Sequence, residues 1–336
     1  MRSRSLFVCL AIIVAAMTVA TSADARCTIN SAGLSVSPLS ANTGTYTPPT
    51  APVAQSVTFT ISGTYDTNAT AGTCRVGIAF HRTSLPATMA RSGGGATLPY
   101  TITTASGGGT SLLYTGGGVP AAASILISAF TSAGANLNNR AFSTTVTAYF
   151  RQVPGSPQRA GSYSDAPSLR TFNIRQNGNV TQLTSQAFSV TGTVALSCTI
   201  GGVTSPTADS ATIPVASGGV VATTPITRSY ANVVCNSLTA VQARSLSGAV
   251  KNAGSAPSGF SNMINYTAAA TFSGATSNLN TATIPTASGV ETGTSATTAS
   301  ATPTGSLSVT ITPQTPSQRL ISGGYSDTLR ITVTAQ

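Results

Sequence analysis

Short segments in which apolar and polar residues alternate run along most of this chain. Five of them have a clear period of two: residues 57–61, 76–80, 145–150, 194–198 and 307–311. Alternation with this period predicts β-strands that have one buried and one exposed face. Clusters of glycine, proline, serine and asparagine separate the segments, as expected of turns. The pattern therefore predicts an all-β protein built from many short strands.

Several landmarks of the sequence occur twice, in the same order, about half the chain length apart. Cys27–Ile29 recurs as Cys198–Ile200, and the Tyr-Ser-Asp of residues 163–165 recurs at residues 325–327. Between these landmarks a cysteine and a later tyrosine also recur, as Cys74 and Tyr100 and as Cys235 and Tyr266. A repeat of this length is too long for a solenoid unit and indicates two whole domains.

The first residues have the organisation of a secretory signal peptide. Arg2 and Arg4 precede an apolar run over residues 6–16, and the Ala-Asp-Ala of residues 23–25 offers a cleavage site. A membrane-spanning helix is the alternative, but it needs roughly 20 apolar residues, and this run is shorter. We therefore expect residues 1–25 to be removed during export.

Four cysteines remain once Cys9 has left with the signal peptide. Each repeat holds two of them, in an exporting pathway where oxidation is expected. The repeat predicts pairing within modules, Cys27 with Cys74 and Cys198 with Cys235. Each disulfide should stabilise its module by about 4 kcal/mol in the chain-entropy model. The alternative of a metal site lacks support, because the sequence has no Cys-x-x-Cys motif and one histidine. We expect no metal and no cofactor.

Composition narrows the functional class. Charged residues make up 7% of the chain, and the formal net charge is +10. Catalysis needs convergent titratable groups, whereas His81 is the single histidine and the carboxylates are isolated in sequence. The arginines are scattered without interleaved aromatic residues, which argues against nucleic-acid binding. We expect neither an enzyme nor a nucleic-acid-binding protein.

The carboxylates Asp165 and Asp327 occupy equivalent positions in the two repeats, just before the last predicted strand of each. We interpret each as a hydrogen-bond acceptor that fixes a turn or backbone amides. A calcium site is the alternative interpretation, although the sequence offers one carboxylate per site.

The repeat landmarks also resemble a known family. The second half has Cys198 on an early strand, Cys235 after an Asn-Val-Val, a strand at residues 265–266 and a closing segment at residues 324–333. This arrangement resembles the spore coat U domain, a secreted β-sandwich that serves as the pilin of archaic, Csu-type chaperone–usher pili. Two such domains in one chain resemble the tip adhesin of this pilus type.

The resemblance implies two tandem immunoglobulin-like β-sandwiches, an adhesive domain at residues 26–175 and a pilin domain at residues 188–336. Residues 176–187 would be a linker or a strand that completes the first domain in cis. The pilin domain would lack its last strand, since the chain stops at Gln336 directly after its closing strand. A periplasmic chaperone and then the adjacent pilin would supply that strand, at an outer-membrane usher. The expected acceptor groove is lined by Phe188, Val190, Val194, Leu196, Leu329, Ile331 and Val333.

The resemblance also implies a place in the fibre. Cys27 is the second residue of the exported chain if cleavage follows Ala25, which leaves no room for a donor strand. A subunit that accepts a strand and donates none belongs at the end of a fibre, here the pilus tip at the cell surface. A structural coat or shaft component without an adhesive role is the alternative function.

Exposed apolar loops of the first domain would then mediate attachment to abiotic or host surfaces and support biofilm formation. A place in the core is the alternative for Leu112, Leu113 and Tyr114 and for the nearby segment 125–130. The candidate loop residues are Leu85, Pro86, Met89, Leu112, Leu113, Tyr114, Val119, Val153 and Pro154.

Overall fold

A computed structural model of the chain describes residues 27–67, 72–134, 136–155, 157–202, 208–282 and 289–336. The predicted signal peptide, residues 1–25, lies outside these ranges. Within them, one short 3-10 helix at Ala122–Ser124 accompanies an otherwise all-β structure, which confirms the fold class predicted from the alternating pattern. None of the described helical structure is long and apolar enough to cross a membrane.

The strands of the first half form two sheets around a main core, with a second, smaller apolar cluster of Ala79, Tyr114, Ile125, Phe172 and Ile174. They are β1 (Cys27–Ile29), β2 (Ser35–Ser37), β3 (Ser40–Tyr46), β4 (Gln55–Thr67), β5 (Thr73–His81), β6 (Thr88–Arg91), β7 (Thr97–Thr103), β8 (Leu113–Tyr114), β9 (Leu126–Thr131), β10 (Leu137–Gln152), β11 (Gly161–Asp165), β12 (Ser168–Ile174), β13 (Val180–Ala187) and β14 (Ser189–Val194). The larger sheet has the order β1-β4-β10-β7-β6-β11-β14-β3, with β2 also paired to β4. The smaller sheet has the order β13-β12-β5-β8, with β9 also paired to β5.

The strands of the second half form a smaller sandwich. They are β15 (Cys198–Ile200), β16 (Val215–Ala216), β17 (Val220–Val221), β18 (Ile226–Cys235), β19 (Thr239–Ser245), β20 (Val250–Lys251), β21 (Phe260–Ser261), β22 (Met263–Ile264), β23 (Tyr266–Phe272), β24 (Ala275–Asn280), β25 (Glu291–Thr297), β26 (Thr304–Pro313), β27 (Arg319–Leu320) and β28 (Leu329–Ala335). A five-stranded sheet of order β15-β18-β26-β23-β24 faces a three-stranded sheet of order β25-β19-β28. The pairs β16-β17, β20-β22 and β21-β27 are two-stranded.

The two halves repeat one topology as well as one set of sequence landmarks. The order β1-β4-β10-β7 in the first half matches β15-β18-β26-β23 in the second. In the opposite sheets, β5 lies between β12 and β9, as β19 lies between β28 and β25. We refer to the two sandwiches as the first module (β1–β14) and the second module (β15–β28).

Residues 180–194 belong to the first module. β13 pairs with β12, and β14 lies between β11 and β3. Phe188, Val190 and Val194 are buried in the first core, where the ring of Phe188 lies 5.1 Å from that of Phe80. This corrects the prediction that these three residues line a groove of the second module. The physical reason is that the aromatic cluster of the first core already surrounds Phe188.

The connector between the modules is short and held by hydrogen bonds. Leu196, also predicted to line the groove, lies on this connector and is 55% exposed. The side chain of Asn236, in the second module, donates to the carbonyl of Ala195 (2.7 Å) and accepts from the amide of Ser197 (2.8 Å). Its own carbonyl accepts from the amide of Ala160 in the first module (2.8 Å). One buried asparagine therefore links both modules to the connector.

Both predicted disulfides are present, which confirms the pairing within modules. Cys27–Cys74 joins β1 to β5 and so crosses between the two sheets of the first module. Cys198–Cys235 joins neighbouring strands, because the two cysteines lie directly opposite each other on β15 and β18.

Candidate strand-acceptor edge and apical loops

A tyrosine–aspartate hydrogen bond anchors the chain before the last repeated strand of each module. The hydroxyl of Tyr100 donates to Oδ2 of Asp165, and that of Tyr266 donates to Oδ2 of Asp327, each at 2.6 Å. Burial, followed by the hydrogen bond to the carboxylate, raises the pKa of both phenols far above the ordinary value. Both tyrosines therefore stay protonated and keep donating.

The second partner of the carboxylate differs between the modules. Arg82 forms a salt bridge of 2.6 Å with Asp165. Asp327 instead accepts from the hydroxyl of Ser245 (2.6 Å) and from the backbone amide of Ser247 (2.9 Å). These carboxylates act as hydrogen-bond acceptors at the bends before β12 and β28. The described residues contain no group of three or more His, Cys, Asp or Glu side chains placed to hold a metal ion.

The tyrosine of each Tyr-Ser-Asp reaches back along its own chain. The hydroxyl of Tyr163 donates to the carbonyl of Arg159 (2.5 Å), and that of Tyr325 donates to the carbonyl of Ile321 (2.9 Å). This is the geometry of the tyrosine corner found in immunoglobulin-like sandwiches. The repeated tripeptide therefore fixes two bends at once, one through its tyrosine and one through its aspartate.

The last strand of the second module has one paired edge. β28 pairs antiparallel with β19 along seven residues, from Leu329 opposite Ser245 to Ala335 opposite Thr239. Within the described ranges, no strand pairs with its other edge. Backbone N–H and C=O groups along that edge are therefore available to another strand.

The equivalent strand of the first module is covered on both sides. β12 lies between β5 and β13, and the side chains Leu169, Thr171 and Asn173, which alternate along its core-facing side, are buried. The corresponding apolar row of β28, which is Leu329, Ile331 and Val333, packs against the second core but remains half-buried. The row on β12 is more deeply buried because β13 covers that strand in the first module.

The second sandwich is closed along one side and open along the other. On the closed side, the hydroxyl of Ser277 donates to the carbonyl of Thr294, and the amide of Asn278 donates to the hydroxyl of Thr294. These contacts join β24 to β25 across the two sheets. On the open side, β28 and the short β15 form the two sheet edges, and Ile200 of β15 is half-buried. Of the residues predicted to line a groove, Leu329, Ile331 and Val333 lie on this open side, together with Ile200.

Several residues predicted to lie on adhesive loops are buried instead. Leu112, Leu113 and Tyr114 are all buried, because β8 pairs in parallel with β5 and the amide of Leu112 donates to the carbonyl of Ile102. Met89 is buried on the core face of β6. For all four residues the loop prediction is wrong, and for Leu112, Leu113 and Tyr114 the core alternative is correct.

Other candidates lie at the surface, in two different places on the first module. β5 and β8 run parallel and end at His81 and Tyr114, so the loops that carry Leu85 and Val119 leave the module side by side. Pro86, next to Leu85, is exposed as well. Val153 is exposed and Pro154 is half-buried. Both follow β10, whose last residue, Gln152, donates a hydrogen bond to the carbonyl of Thr193 near the connector.

One exposed apolar residue near the loops of Leu85 and Val119 was not predicted. Leu39 is 44% exposed, comparable to Leu85 at 48% and Val119 at 46%. The carbonyl of Leu39 accepts a hydrogen bond from the amide of Ser189, at the start of β14. β14 in turn pairs with β11, so that Val190 lies opposite Asp165. Since Asp165 binds Arg82, the residue after β5, Leu39 lies at the level of the other two loops, midway along the ladder that β11 and β12 form with β14 and β13. We call Leu39, Leu85 and Val119 the apical residues.

His81 supports these loops through packing. Its ring lies 5.3 Å from that of Tyr114, whose hydroxyl accepts from Arg170 (3.1 Å). Desolvation, followed by the charge of Arg170, lowers the pKa of His81 below its ordinary value. The imidazole is therefore neutral near pH 7 and contributes aromatic contact where the loops begin.

Comparison with known proteins finds distant structural likeness. No family model and no curated protein sequence matches the chain. A chain of the CsuC–CsuE chaperone–tip adhesion subunit complex of Acinetobacter baumannii is similar over 92% of this chain and 100% of that chain, with 12% identity and a TM-score of 0.38. The CupB6 tip adhesin of Pseudomonas aeruginosa is similar over 92% and 95%, with 12% identity and a TM-score of 0.30. The CooA pilin subunit of enterotoxigenic Escherichia coli is similar over 47% and 91%, with 17% identity and a TM-score of 0.27.

Proposed function

We propose that this chain is a tip adhesin of a chaperone–usher pilus, exported through the periplasm and carried at the cell surface on the end of the fibre. The observation that carries the proposal is the unpaired edge of β28, beside a core that its side chains cover only in part. The matching strand β12 shows what a covered edge looks like in the same chain, since β13 pairs with it.

The assembly step in this proposal is the addition of a β-strand. A strand from a periplasmic chaperone pairs with the free edge of β28 first, and a strand from the adjacent pilin replaces it at the outer-membrane usher. Main-chain hydrogen bonds give affinity, and apolar side chains of the donor cover Leu329, Ile331 and Val333. Full burial of a side chain of this size contributes about 1.5–3 kcal/mol. The free chain should therefore depend on a partner for stability.

The adhesive step uses the apical residues. Leu39, Leu85 and Val119 lie on three different loops, near the junction of β13 and β14. Small apolar contacts on separate loops suit a surface without a defined shape, such as an abiotic material or a host surface, and attachment of this kind supports biofilm formation. The proposal requires no cofactor, no catalytic group and no nucleic acid.

Co-expression of the full exported chain with its periplasmic chaperone tests the acceptor edge. Replacement of the half-buried Ile331, as Ile331→Asp, places a charge in the proposed contact, whereas Thr332→Asp places one on the exposed face of the same strand. We expect the wild-type chain and Thr332→Asp to co-purify with the chaperone as one-to-one complexes, and Ile331→Asp to be lost from the complex.

Hydrogen exchange supplies a second measurement that does not depend on a variant. In the chain alone, amides of β28 that face away from β19 should exchange rapidly, and the complex should protect them. Amides of β12 should be protected in both states, because β13 already covers that strand. Equal protection of β28 with and without the chaperone would contradict the proposal.

A further inference from the structure

Two arginines lie opposite each other on the outer face of the three-stranded sheet of the second module. Arg244 of β19 pairs with Arg330 of β28, and both side chains are exposed on the face that points away from the core. Directly opposite side chains of an antiparallel pair have Cβ atoms about 4.5–5.5 Å apart, so like charges at these positions are destabilising. This pair occurs on β28, the strand whose second edge pairs with no described strand.

Neither arginine has an acidic partner among the described residues. The second module contains three acidic residues, and none of them reaches the pair. Asp209 lies 3.5 Å from Nε of Arg228. Asp327 accepts from Tyr266, and Glu291 is 6% exposed on the buried side of β25. The two positive charges therefore lie uncompensated beside the free edge.

The first module shows how an equivalent arginine is accommodated. A Leu-Arg pair follows each Tyr-Ser-Asp, at residues 169–170 of β12 and at residues 329–330 of β28. β13, the strand that covers β12, supplies Gln182, whose Oε1 accepts from Nη1 of Arg170 (3.2 Å). The residue opposite Arg170 on β5 is the uncharged Ala79. In the first module the covering strand thus provides a neutral acceptor for a single arginine.

A strand that covers β28 meets two guanidinium groups in place of one. A carboxylate accepts charge-assisted and bidentate hydrogen bonds from arginine, and these are stronger than bonds to a neutral acceptor. We propose that the strand added to β28 carries an acidic side chain on its outward face, at the position that reaches Arg330 and Arg244. The inference rests on the function proposed above, because it specifies the chemistry of the strand that the second module accepts.

An acidic residue at this position would help to fix the register of the added strand. Side chains of a strand alternate between its two faces, so a slip by two residues keeps the apolar side chains of the donor over the core. The same slip moves the carboxylate away from the arginines. The charge therefore distinguishes registers that the apolar pattern leaves equivalent.

Competition with synthetic strands tests the proposal on the complex of the full exported chain with its periplasmic chaperone. The probes are peptides of about ten residues in which valine and threonine alternate, with one central threonine replaced by glutamate or by glutamine. These two side chains have nearly the same shape and differ in charge. We expect the glutamate peptide to displace the chaperone at a concentration at least about threefold lower than the glutamine peptide does. Salt at about 1 M should bring the two concentrations together.

Variants of the pair test whether the two arginines cause this preference. In Arg244→Gln/Arg330→Gln, the glutamate and glutamine peptides should displace the chaperone equally well. Arg140→Gln/Arg175→Gln removes two exposed charges from the first module and should keep the wild-type preference. Each variant is judged by the ratio of its two displacement concentrations, so a general change in chaperone affinity does not affect the result.

The outcomes separate this inference from the function on which it rests. Equal displacement by both peptides from the wild-type complex would overturn the inference and leave strand acceptance intact. Displacement by neither peptide would contradict strand acceptance as well. Two further results would overturn the inference: a preference that persists in Arg244→Gln/Arg330→Gln, or one that inorganic phosphate removes at constant ionic strength, which would indicate a site for a small anion.

Discussion

The hydroxyl of Tyr266 lies 2.6 Å from Oδ2 of Asp327, and this hydrogen bond holds the bend from which β28 starts. Tyr100 and Asp165 make the same contact in the first module, before the covered strand β12. Among the described strands, β12 is covered by a neighbouring strand and β28 is not, yet both modules position this strand with the same hydrogen bond. The position of β28 is therefore set by contacts within its own module before any partner strand arrives.

Removal of this hydrogen bond should destabilise one module at a time. Tyr266→Phe takes a donor from a charged acceptor, and we expect a loss of about 1.5–3 kcal/mol in the free energy of unfolding of the second module. Tyr100→Phe should cause a similar loss in the first module. Urea unfolding of the full chain, followed by circular dichroism, should show each variant shifting a different transition. The partly exposed Tyr149, changed to Phe, is the control and should shift neither by more than about 0.5 kcal/mol.

Alkaline pH should destabilise the chain through the same two phenols. The pKa of Tyr266 is raised above the ordinary value of 10.0, first by burial and then by Asp327. Such a phenol is harder to ionise in the folded state than in the unfolded state. Its contribution to the stability of the folded state is complete below pH 10 and is lost as the pH rises from 10 toward the folded-state pKa. Stability measured between pH 8 and pH 12 should therefore fall from about pH 10 upward. The double variant Tyr100→Phe/Tyr266→Phe should show a shallower fall, and an unchanged slope would contradict this account.

The apical residues should control attachment without controlling assembly. In the triple variant Leu39→Ser/Leu85→Ser/Val119→Ser, we expect piliated cells to lose most of their attachment to plastic, because the exposed apolar contacts are removed. Electron microscopy should still show fibres in wild-type numbers. Val153→Ser, an exposed apolar residue outside the apical set, is the control and should attach as the wild type does. Loss of the fibres themselves would favour the alternative of a structural coat or shaft component.

The strand content, the duplication and the disulfides could be predicted from sequence, because each depends on local pattern or on the repeat. The two aspartates could also be interpreted as acceptors, since their shared position before a strand indicated a turn. What a strand pairs with depends instead on distant residues. The alternation from Phe188 to Val194 identifies a strand, but only the aromatic cluster around Phe80 shows which core receives it.

The loop predictions for Met89, Leu112, Leu113 and Tyr114 failed for the same reason. The segment Leu112–Tyr114 lies between glycine clusters and has the composition of a mobile loop, yet its pairing with β5 buries it. Leu39 carried no signal, because it lies in a short Ser-Pro-Leu-Ser segment without alternation or a glycine cluster. Its position became meaningful only through the pairing of β3 with β14.

The placement of β14 bears on how the molecule withstands tension. A pull on the second module passes through residues 195–197 into the carboxyl end of β14, along the axis of that strand. Because β14 is flanked by β11 on one side and β3 on the other, such a pull shears both ladders at once rather than peeling one of them open bond by bond. The link between the modules should therefore resist stretching, as the proposed place at the end of a fibre in moving fluid would require.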